Sequence, residues 1–417
     1  MSDHVVVVGS SVGGVRTVQE LRRLGFGGDI TVVGQEEEKP YDKPPLSKQV
    51  LMGTQTEDQI LLLGEGGFEA LGAQARLGVR ATGLDIDSMT VALADGDEVE
   101  YDALVIATGV RPRNLSPALN ELDSVFTVRE LRDARELAAR ASLGPVAVVG
   151  AGFIGAEVAA SFRSLGTEVT MTEAMQAPFA RALGAQVGGL LSELHQDHGV
   201  QLLTDATVQT IERSGDVTLV RLADGRRVEA ATVVVGIGAT PNTEWLGDSG
   251  LKIADGVWVD AGCAVLAQGF GPHAEGVYAI GDVARQVDPV TNKDYRVEHW
   301  TNAVEHAHAV ARQIVDPTSA PQPLKAPYFW SDQFDLKVQM VGRPAEADAV
   351  TMHRFNVSGT EKTVAIYEAN GVVAAAVTLG WPRAIAACRH AWEARADVDA
   401  LVSTLSELAD RRRTAAL

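Results

Sequence analysis

The sequence predicts an α/β protein with two similar three-layer β/β/α units and a C-terminal α+β domain. Three features occur twice in the same order: a hydrophobic strand with a glycine-rich turn, a Leu-Ala-Asp-Gly hairpin turn, and an apolar strand leading into Gly-x-x-Pro. A buried strand, a glycine turn and a helix together are typical of Rossmann-like, dinucleotide-binding units. The three pairs are Val5–Gly14 and Val146–Gly155, Leu93–Gly96 and Leu222–Gly225, and Gly109–Pro112 and Gly238–Pro241.

Composition indicates an ordinary globular enzyme of two or three domains. The chain has 417 residues, of which 46% are hydrophobic and 22% charged. No apolar run approaches the roughly 20 residues of a membrane span, and the chain enters a predicted strand almost at once. We therefore expect neither a membrane span nor a signal peptide. The net charge of −19 argues against nucleic acid as a partner.

The cysteines and histidines predict no metal site. Cys263 and Cys388 are isolated, and no C-x-x-C occurs, which excludes a disulfide scaffold, structural zinc and a thiol redox relay. A reduced, cytoplasmic setting fits best. His195 and His198 lack the glutamate of an H-E-x-x-H motif and have no cysteine near, and His306 and His308 point to different helix faces. We therefore expect structural roles for all four.

The first repeat has the pattern of a dinucleotide site with one departure. Val5–Val8 predicts a central parallel strand, Gly9 a tight turn, and Gly14 close packing of the following helix on the strand. The helix begins near Gly13, so its amides can bind a pyrophosphate. Ser11 replaces the middle glycine of G-x-G-x-x-G, and its small side chain still leaves room for phosphate.

The second repeat carries the complete motif, with Gly150, Gly152 and Gly155 between a predicted strand and helix. Glu157 follows two residues later, and the alternative to a functional role is an acid that stabilises the first helical turn.

Each repeat has a carboxylate at the end of its second strand. Glu36 can bind ribose hydroxyls, although an acidic turn at 36–38 is the alternative interpretation. Glu173 ends the strand 169–172, and no basic residue follows it up to Gln176. A carboxylate in this position binds a ribose diol and repels a 2′-phosphate, which predicts NADH rather than NADPH.

Pro40–Lys48 is a rigid, proline-rich segment with one lysine at its end. Its prolines predict an extended turn, with Lys48 in the first turn of the next helix. A cation held there can stabilise negative charge on a reduced flavin. An exposed lysine is the alternative.

The segment Tyr41–Lys48 resembles the Y-D-R-P-P-L-S-K signature of the NADH-dependent ferredoxin reductases that serve haem-thiolate monooxygenases and aromatic-ring dioxygenases. The resemblance extends over nearly the whole chain. It implies a glutathione-reductase-type fold, FAD and NADH as cofactors, and a lysine–glutamate pair formed by Lys48 and Glu157. Lys43 replaces the usual arginine of the signature, which keeps the charge but loses the bidentate geometry.

The resemblance also implies a set of binding residues. Gly276–Asp282 is similar to the second flavin motif of this fold, and the tryptophan of 298–303 lies near flavin in the family, with a core position as the alternative. For Arg129 the alternative is an ordinary surface arginine. The implied FAD residues are Gly9, Ser11, Val12, Gly13, Gly14, Glu36, Lys43, Lys48, Ala81, Ala107, Thr108, Gly109, Arg129, Gly281, Asp282 and Trp300. The implied NADH residues are Gly150, Gly152, Phe153, Ile154, Gly155, Glu157, Glu173 and Gly238.

The C-terminal region implies partner docking. In the family it helps to seat the iron–sulfur protein, and the implied docking residues are Arg312, Trp330 and Lys337, with Phe329 and Trp330 as a wall beside the flavin. Ferredoxins are usually acidic, so we expect a basic patch here. Arg411–Arg413 is the alternative basic cluster, or only a solvated helix end.

The expected reaction passes electrons from NADH through FAD, one at a time, because no cysteine near the flavin motif can accept two. A 2Fe–2S ferredoxin is the leading acceptor, while a 3Fe–4S ferredoxin or a rubredoxin stays open. The alternatives are an NADH oxidase or peroxidase, and a redox-responsive flavin-binding interaction protein. We expect a monomer or weak homodimer.

The predicted domains are an FAD domain in two parts (1–112 and 243–322), an NADH domain (113–242) and a C-terminal α+β domain (323–417). Pro321, Pro323 and Pro327 mark the last boundary.

Overall fold

The computed structural model describes residues 3–116, 122–268, 273–288, 293–319 and 325–410. The chain folds into two compact units, each built from three separate stretches. The predicted domain boundaries stay a prediction, and Pro321, Pro323 and Arg411–Arg413 lie outside the described residues. Unit 1 consists of Met1–Asp42, Glu57–Arg111 and Ala239–Lys325, and unit 2 of Lys43–Thr56, Pro112–Gly238 and Ala326–Leu417.

The described residues contain seven α-helices, and none is long and apolar enough to cross a membrane. The fourth is broken at Gly184, which has non-helical dihedral angles. The helices are α1 (Val12–Arg23), α2 (Leu131–Ala139), α3 (Phe153–Ser164), α4 (Ala180–Asp197), α5 (Trp300–Val315), α6 (Ala384–Glu393) and α7 (Val398–Asp410).

Unit 1 is organised around a nine-stranded sheet whose central strands run parallel. In spatial order its strands are Asp294–Arg296, Ala284–Val287, Val257–Val259, Ala264–Leu266, His273–Ala279, Ala103–Ile106, His4–Val8, Asp29–Gly34 and Gln74–Leu77. A second sheet contains Ala81–Asp85, Thr90–Leu93 and Glu98–Glu100, and the short strands Val110–Pro112 and Ala239–Pro241 pair separately.

Alternation along the central strand of unit 1 produces its three layers. Val5 and Val7 pack against α1 and α5, whereas Val6 and Val8 pack with residues of the three-stranded sheet. Because all four are buried, the continuous valine run is explained by a strand covered on both faces. The predicted three-layer β/β/α arrangement is confirmed here.

Unit 2 repeats this arrangement with a smaller sheet. Its five parallel strands are, in spatial order, Gln201–Leu203, Val169–Thr172, Val146–Val149, Thr232–Val235 and Val125–Phe126. Ala147 and Val149 pack with residues of a three-stranded sheet made of Val208–Ser214, Val217–Leu222 and Arg227–Ala230. Each predicted Leu-Ala-Asp-Gly turn closes a hairpin, with a backbone hydrogen bond of 3.1 Å from Gly96 to Leu93 and of 3.0 Å from Gly225 to Leu222.

The C-terminal part of unit 2 is an antiparallel sheet covered on both faces. Its strands are Tyr328–Gln333, Leu336–Gly342, Val372–Leu379, Thr360–Ala369 and Ala349–Val357 in spatial order. One face packs on α6 and α7, and the other packs on α3 and α4. The predicted α+β domain is confirmed, and its sheet shares a hydrophobic core with the helices of the second repeat.

The last glycine of each repeat is required by close packing of a helix on the glycine turn. A Cβ atom on Gly14 would lie 1.9 Å from the carbonyl oxygen of Gly9, and one on Gly155 would lie 2.1 Å from that of Gly150. Both distances are far below van der Waals contact, and the atoms that would clash belong to the backbone.

We expect Gly155→Ala to lower the free energy of unfolding by about 1–3 kcal/mol, because the helix must move away from the turn. Denaturant unfolding of the FAD-loaded protein measures this. The matched control is Gly189→Ala in α4, where an added Cβ meets no atom within 4 Å. Alanine there should stabilise by up to about 1 kcal/mol. Equal effects of the two changes would contradict the packing argument.

Candidate active site

In unit 1 the carboxyl ends of three parallel strands bring several predicted FAD residues together. The strands His4–Val8, Ala103–Ile106 and His273–Ala279 lead directly into Gly9, Ala107 and the Gly281 turn. An added Cβ on Gly9 would lie 2.2 Å from the Ala107 carbonyl oxygen, and one on Gly13 would lie 3.3 Å from the Ile280 side chain. Ligands of doubly wound sheets bind at this edge.

The start of α1 fits a pyrophosphate. Ser11 is the N-cap, its side chain makes no capping hydrogen bond, and the first turn contains no acidic residue. The helix dipole and its amides therefore stay available for an anion. Val12, Gly13 and Gly14 form this first turn, as predicted.

Glu36 lies two residues after the strand Asp29–Gly34, and its carboxylate accepts a hydrogen bond from the hydroxyl of the buried Tyr41. The carboxylate is half-buried and held in place, which suits binding of ribose hydroxyls.

Thr108 is fixed by two hydrogen bonds with Asn242, each 2.9 Å long. The sequence does not predict a role for Asn242, because this residue lies 134 residues from Thr108 and belongs to no motif. Ala81 is buried in the core of unit 1, in the strand Ala81–Asp85.

Gly281 and Asp282 form a short 3₁₀ helix, and the amide of Gly281 donates to Nδ1 of the buried His306 at 3.3 Å. His306 thus holds the backbone of the predicted flavin motif, and its purely structural role stays a prediction. Trp300 begins α5, its indole N–H donates to Asp42 at 2.7 Å, and it is half-exposed rather than a core residue.

In unit 2 the start of α3 is the second candidate anion site. Gly152 is the N-cap and the first turn again contains no acidic residue. Ile154 is 48% exposed, whereas the ring of Phe153 packs 5.3 Å from Phe179 and 4.3 Å from Phe329. Phe153 can therefore contact a ligand through its amide, since its ring is part of the core.

Glu173 directly follows the strand Val169–Thr172, as predicted. Its two carboxylate oxygens accept hydrogen bonds of 2.9 Å from the amides of Ala151 and Met175. This fixes the carboxylate next to the glycine turn. Gly238, the remaining predicted residue, follows the strand Thr232–Val235 and lies beside the Arg113 side chain.

The segment with Lys48 differs from both expectations about its structure. Pro44–Ser47 forms a 3₁₀ helix rather than an extended turn, and Lys48 follows its end rather than lying in the next helix. Proline suits the first turn of a helix because no amide donor is needed there. Lys48 is also buried, at 6% exposure, so the exposed-lysine alternative is wrong.

Lys48 and Glu157 form a buried ion pair. Their nitrogen and oxygen atoms are 2.8 Å apart, and the side chains are 8% and 7% exposed. The oxygen that pairs with Lys48, Oε2 of Glu157, also accepts a hydrogen bond of 2.6 Å from the Ser47 hydroxyl. The other oxygen, Oε1, accepts a hydrogen bond of 2.7 Å from the Ser331 hydroxyl. Glu157 is the fifth residue of α3, beyond the first turn, so the helix-dipole alternative does not explain it.

Two residues of this cluster were missed by sequence reasoning. Ser47 lies inside the quoted signature and Ser331 beside a docking candidate, but neither had a role. Ser331 lies 174 residues from its partner, and a lone serine in a strand gives no signal.

The two other predicted FAD residues of unit 2 contact each other. The ammonium of Lys43 donates to the backbone carbonyl of Arg129 at 3.2 Å. The Arg129 amide in turn donates to Asp133 at 2.8 Å, at the start of α2.

The docking residues stay a prediction, and the local surroundings of each are described within its own unit. Alternation along Tyr328–Gln333 places Phe329 and Trp330 on opposite faces, so they cannot be two parts of one wall. Phe329 packs on Phe153, whereas Trp330 stacks on Tyr328 with ring centroids 6.0 Å apart. Lys337 pairs with Asp332 on the neighbouring strand, and Arg312 is exposed on α5 of unit 1.

Neither histidines nor cysteines in the described parts of the chain form a metal or redox site. No group of metal-binding side chains occurs there, and the two cysteines are buried and free. Burial raises the pKa of the Cys388 thiol to about 12 and raises that of Cys263 further. Both thiols are therefore protonated at neutral pH. A thiol redox relay needs a thiolate instead.

These features are typical of a class of protein: an enzyme with two candidate dinucleotide sites, each with an uncapped helix start and a carboxylate after the second strand. Comparison with known families gives the particular one. Residues 3–307 match the family described as pyridine nucleotide-disulphide oxidoreductase, and residues 328–411 match the one described as reductase C-terminal.

The relatives specify the branch. The chain is 35% identical to the probable ferredoxin reductase CtmF of Castellaniella defragrans, over 93% of this chain and 92% of the relative. It is 33% identical to the ferredoxin–NAD(+) reductase component of the p-cumate 2,3-dioxygenase system of Pseudomonas putida, over 95% and 94%. The covalent putidaredoxin reductase–putidaredoxin complex has a chain with a TM-score of 0.88 and 29% identity, over 96% and 95%.

The chain therefore belongs to the FAD-dependent ferredoxin–NAD(+) reductases, which pass electrons from NADH to an iron–sulfur ferredoxin. The predictions of family, fold, cofactors and electron transfer are confirmed.

We expect Glu173→Gln to narrow the preference for NADH over NADPH by about 10-fold, because it removes the negative charge that repels a 2′-phosphate. Dissociation constants of both nucleotides, measured by titration of the FAD-loaded protein, test this. Glu193→Gln in α4, an exposed position, removes the same charge from the same unit and should leave the ratio unchanged. An unchanged ratio in Glu173→Gln would contradict the assignment.

Proposed function

We propose that the Lys48–Glu157 pair is the protein's contribution to catalysis, in which Lys48 places positive charge beside the ring system of the bound flavin. The observation that carries this is the burial of the pair. The ammonium group of Lys48 has three N–H donors. Within the described residues, one oxygen of Glu157 accepts a hydrogen bond from this group. The other two donors stay available for acceptor atoms of a ligand. A pair kept only for stability is a weak explanation, because burying two charges often costs more than it gains.

The residues of the two glycine turns are proposed to hold the two dinucleotides. The start of α1 with Glu36 suits FAD, and the start of α3 with Glu173 suits NADH, through the amides and carboxylates described above. Asp282, Trp300, Lys43 and Arg129 complete the proposed FAD set. Bound FAD supplies the conversion of a two-electron hydride transfer into single-electron steps.

The proposed acceptor is a 2Fe–2S ferredoxin, and the family resemblance offers Trp330, Lys337 and Arg312 as its docking residues. A half-exposed aromatic side chain and nearby cations are common in such recognition surfaces. The oxidase or peroxidase alternative needs a reactive cysteine, and the burial of Cys263 and Cys388 opposes it. We further propose a cytoplasmic monomer or weak homodimer, on the basis of the family resemblance and the isolated cysteines.

We expect Lys48→Ala to slow the reduction of bound flavin by NADH by about 10-fold or more without releasing FAD, because electrostatic stabilisation of developing charge is lost. Stopped-flow absorbance measures the rate. Lys362→Ala, also in unit 2, is the control for loss of a cation.

Lys48→Ala leaves a buried unpaired carboxylate, and such losses destabilise proteins by about 3–5 kcal/mol. The double variant Lys48→Met with Glu157→Gln avoids this penalty and should still be slow. A wild-type rate in the double variant would refute the role of the pair.

The partner is tested by reduction of cytochrome c driven by NADH, with and without an added 2Fe–2S ferredoxin. We expect a large stimulation by the ferredoxin, and we expect Lys337→Gln to reduce that stimulation by about 3- to 10-fold at low salt, where attraction between charges is least screened. Flavin reduction by NADH should not change.

Lys362→Gln, in the same C-terminal sheet, is the matched control for this variant. Rapid flavin reduction with no ferredoxin stimulation, together with oxygen uptake, would favour the oxidase instead.

A further inference from the structure

A buried chain of hydrogen bonds continues from Glu157 beyond its ion pair. Ser331 donates to Oε1 of Glu157 at 2.7 Å, and the Gln333 amide nitrogen lies 3.3 Å from Oγ of Ser331. Nε2 of His195 then lies 3.1 Å from the Gln333 amide oxygen. Ser331, Gln333 and His195 are all fully buried. These hydrogen bonds therefore link the ion pair to the C-terminal sheet and to α4, and none of the three side chains that make them is exposed to solvent.

The Glu157 carboxylate determines which group donates and which accepts in each of these hydrogen bonds. A carboxylate only accepts, so the single hydroxyl proton of Ser331 is donated to Glu157. Oγ of Ser331 must then accept from the amide of Gln333, whose oxygen faces His195. The histidine must donate through Nε2, and its Nδ1 has no hydrogen-bond partner within the described residues.

His195 can donate one hydrogen bond to Gln333 without placing a charge in the core, because its imidazole ring is neutral. Burial lowers its pKa to about 4, so at neutral pH it carries one ring proton, and the Gln333 oxygen holds that proton on Nε2. Gln333 is thus fixed in one orientation, and it fixes the Ser331 hydroxyl in turn.

The strand Tyr328–Gln333 places these residues with regular alternation. Ser331 and Gln333 point to the face that meets α3 and α4, whereas Trp330 points to the other face. One strand therefore presents the hydroxyl that holds Glu157 on one face and the proposed docking tryptophan on the other.

We propose that Ser331 is a positioning residue for the reduction of flavin by NADH. It holds Oε1 of Glu157, which leaves Oε2 for Lys48 and Ser47, while Gln333 and His195 fix its orientation. Without this donor Oε1 would be buried and unsatisfied, and the carboxylate would rotate or recruit the lysine proton to Oε1. The inference rests on the proposed role of the Lys48–Glu157 pair.

The test is stopped-flow reduction of the FAD-loaded protein by NADH, with the limiting rate separated from the NADH dissociation constant. We expect Ser331→Ala to lower the limiting rate by about 10-fold, because the Glu157 carboxylate loses one of the charge-assisted hydrogen bonds that hold it in place. The dissociation constant should stay within about 2-fold of wild type, because binding is not affected. Ser331→Thr should restore most of the rate, since it keeps the hydroxyl.

A second readout does not depend on activity. The midpoints of denaturant unfolding of Ser331→Ala, Glu157→Gln and the double variant form a cycle, and we expect the two changes to be non-additive. Thr378→Val is the matched control in the same sheet: Thr378 is buried, and its hydroxyl has no partner in the described structure. Its limiting rate should equal that of wild type.

The outcomes separate this inference from the proposed function. A wild-type limiting rate in Ser331→Ala, with Lys48→Ala still slow, overturns the role of Ser331 and leaves the proposed function intact. Equal slowing in Thr378→Val, or no recovery in Ser331→Thr, also overturns it, because the effect would then be a general disturbance of the sheet. A wild-type rate in Lys48→Ala overturns both.

Discussion

The buried ion pair of Lys48 and Glu157 is the constraint on which unit 2 depends. Removing two charges from water costs several kcal/mol for each ion, and the pair compensates only if the remaining hydrogen-bonding capacity is satisfied. Ser47 and Ser331 supply those bonds, at 2.6 and 2.7 Å. Three stretches of chain that are far apart in sequence meet at this carboxylate, and they are the same three stretches that make up unit 2.

The same local rule operates twice in this molecule. A helix starts directly after a glycine turn, and the last glycine allows it to pack on the turn carbonyl. Such a rule is contained in a few consecutive residues, so both strand–turn–helix elements and the two hairpins could be predicted from sequence. The three-layer arrangement followed as well, since a strand such as Val5–Val8 must be covered on both faces.

The parts that sequence reasoning missed depend on contacts between distant residues or on a choice between similar local structures. The partners of the ion pair lie 109 residues apart, and only the family resemblance connected them. Ser331 and Asn242 carry no pattern of their own. The 3₁₀ helix Pro44–Ser47 was missed because two prolines are compatible with an extended turn and with a first helical turn alike. Phe329 and Trp330 were grouped because they are adjacent, although adjacent strand residues face opposite ways.

The burial of both cysteines has a chemical consequence for an enzyme of this kind. Reduced flavoenzymes that meet dioxygen release some hydrogen peroxide, and peroxide attacks cysteine as the exposed thiolate. The sequence contains two cysteines, both have no exposed surface, and burial holds the pKa of each thiol well above its ordinary value. Burial therefore keeps both thiols in the protonated form that reacts slowly with peroxide, so cysteine oxidation is not expected to limit the lifetime of this enzyme during turnover.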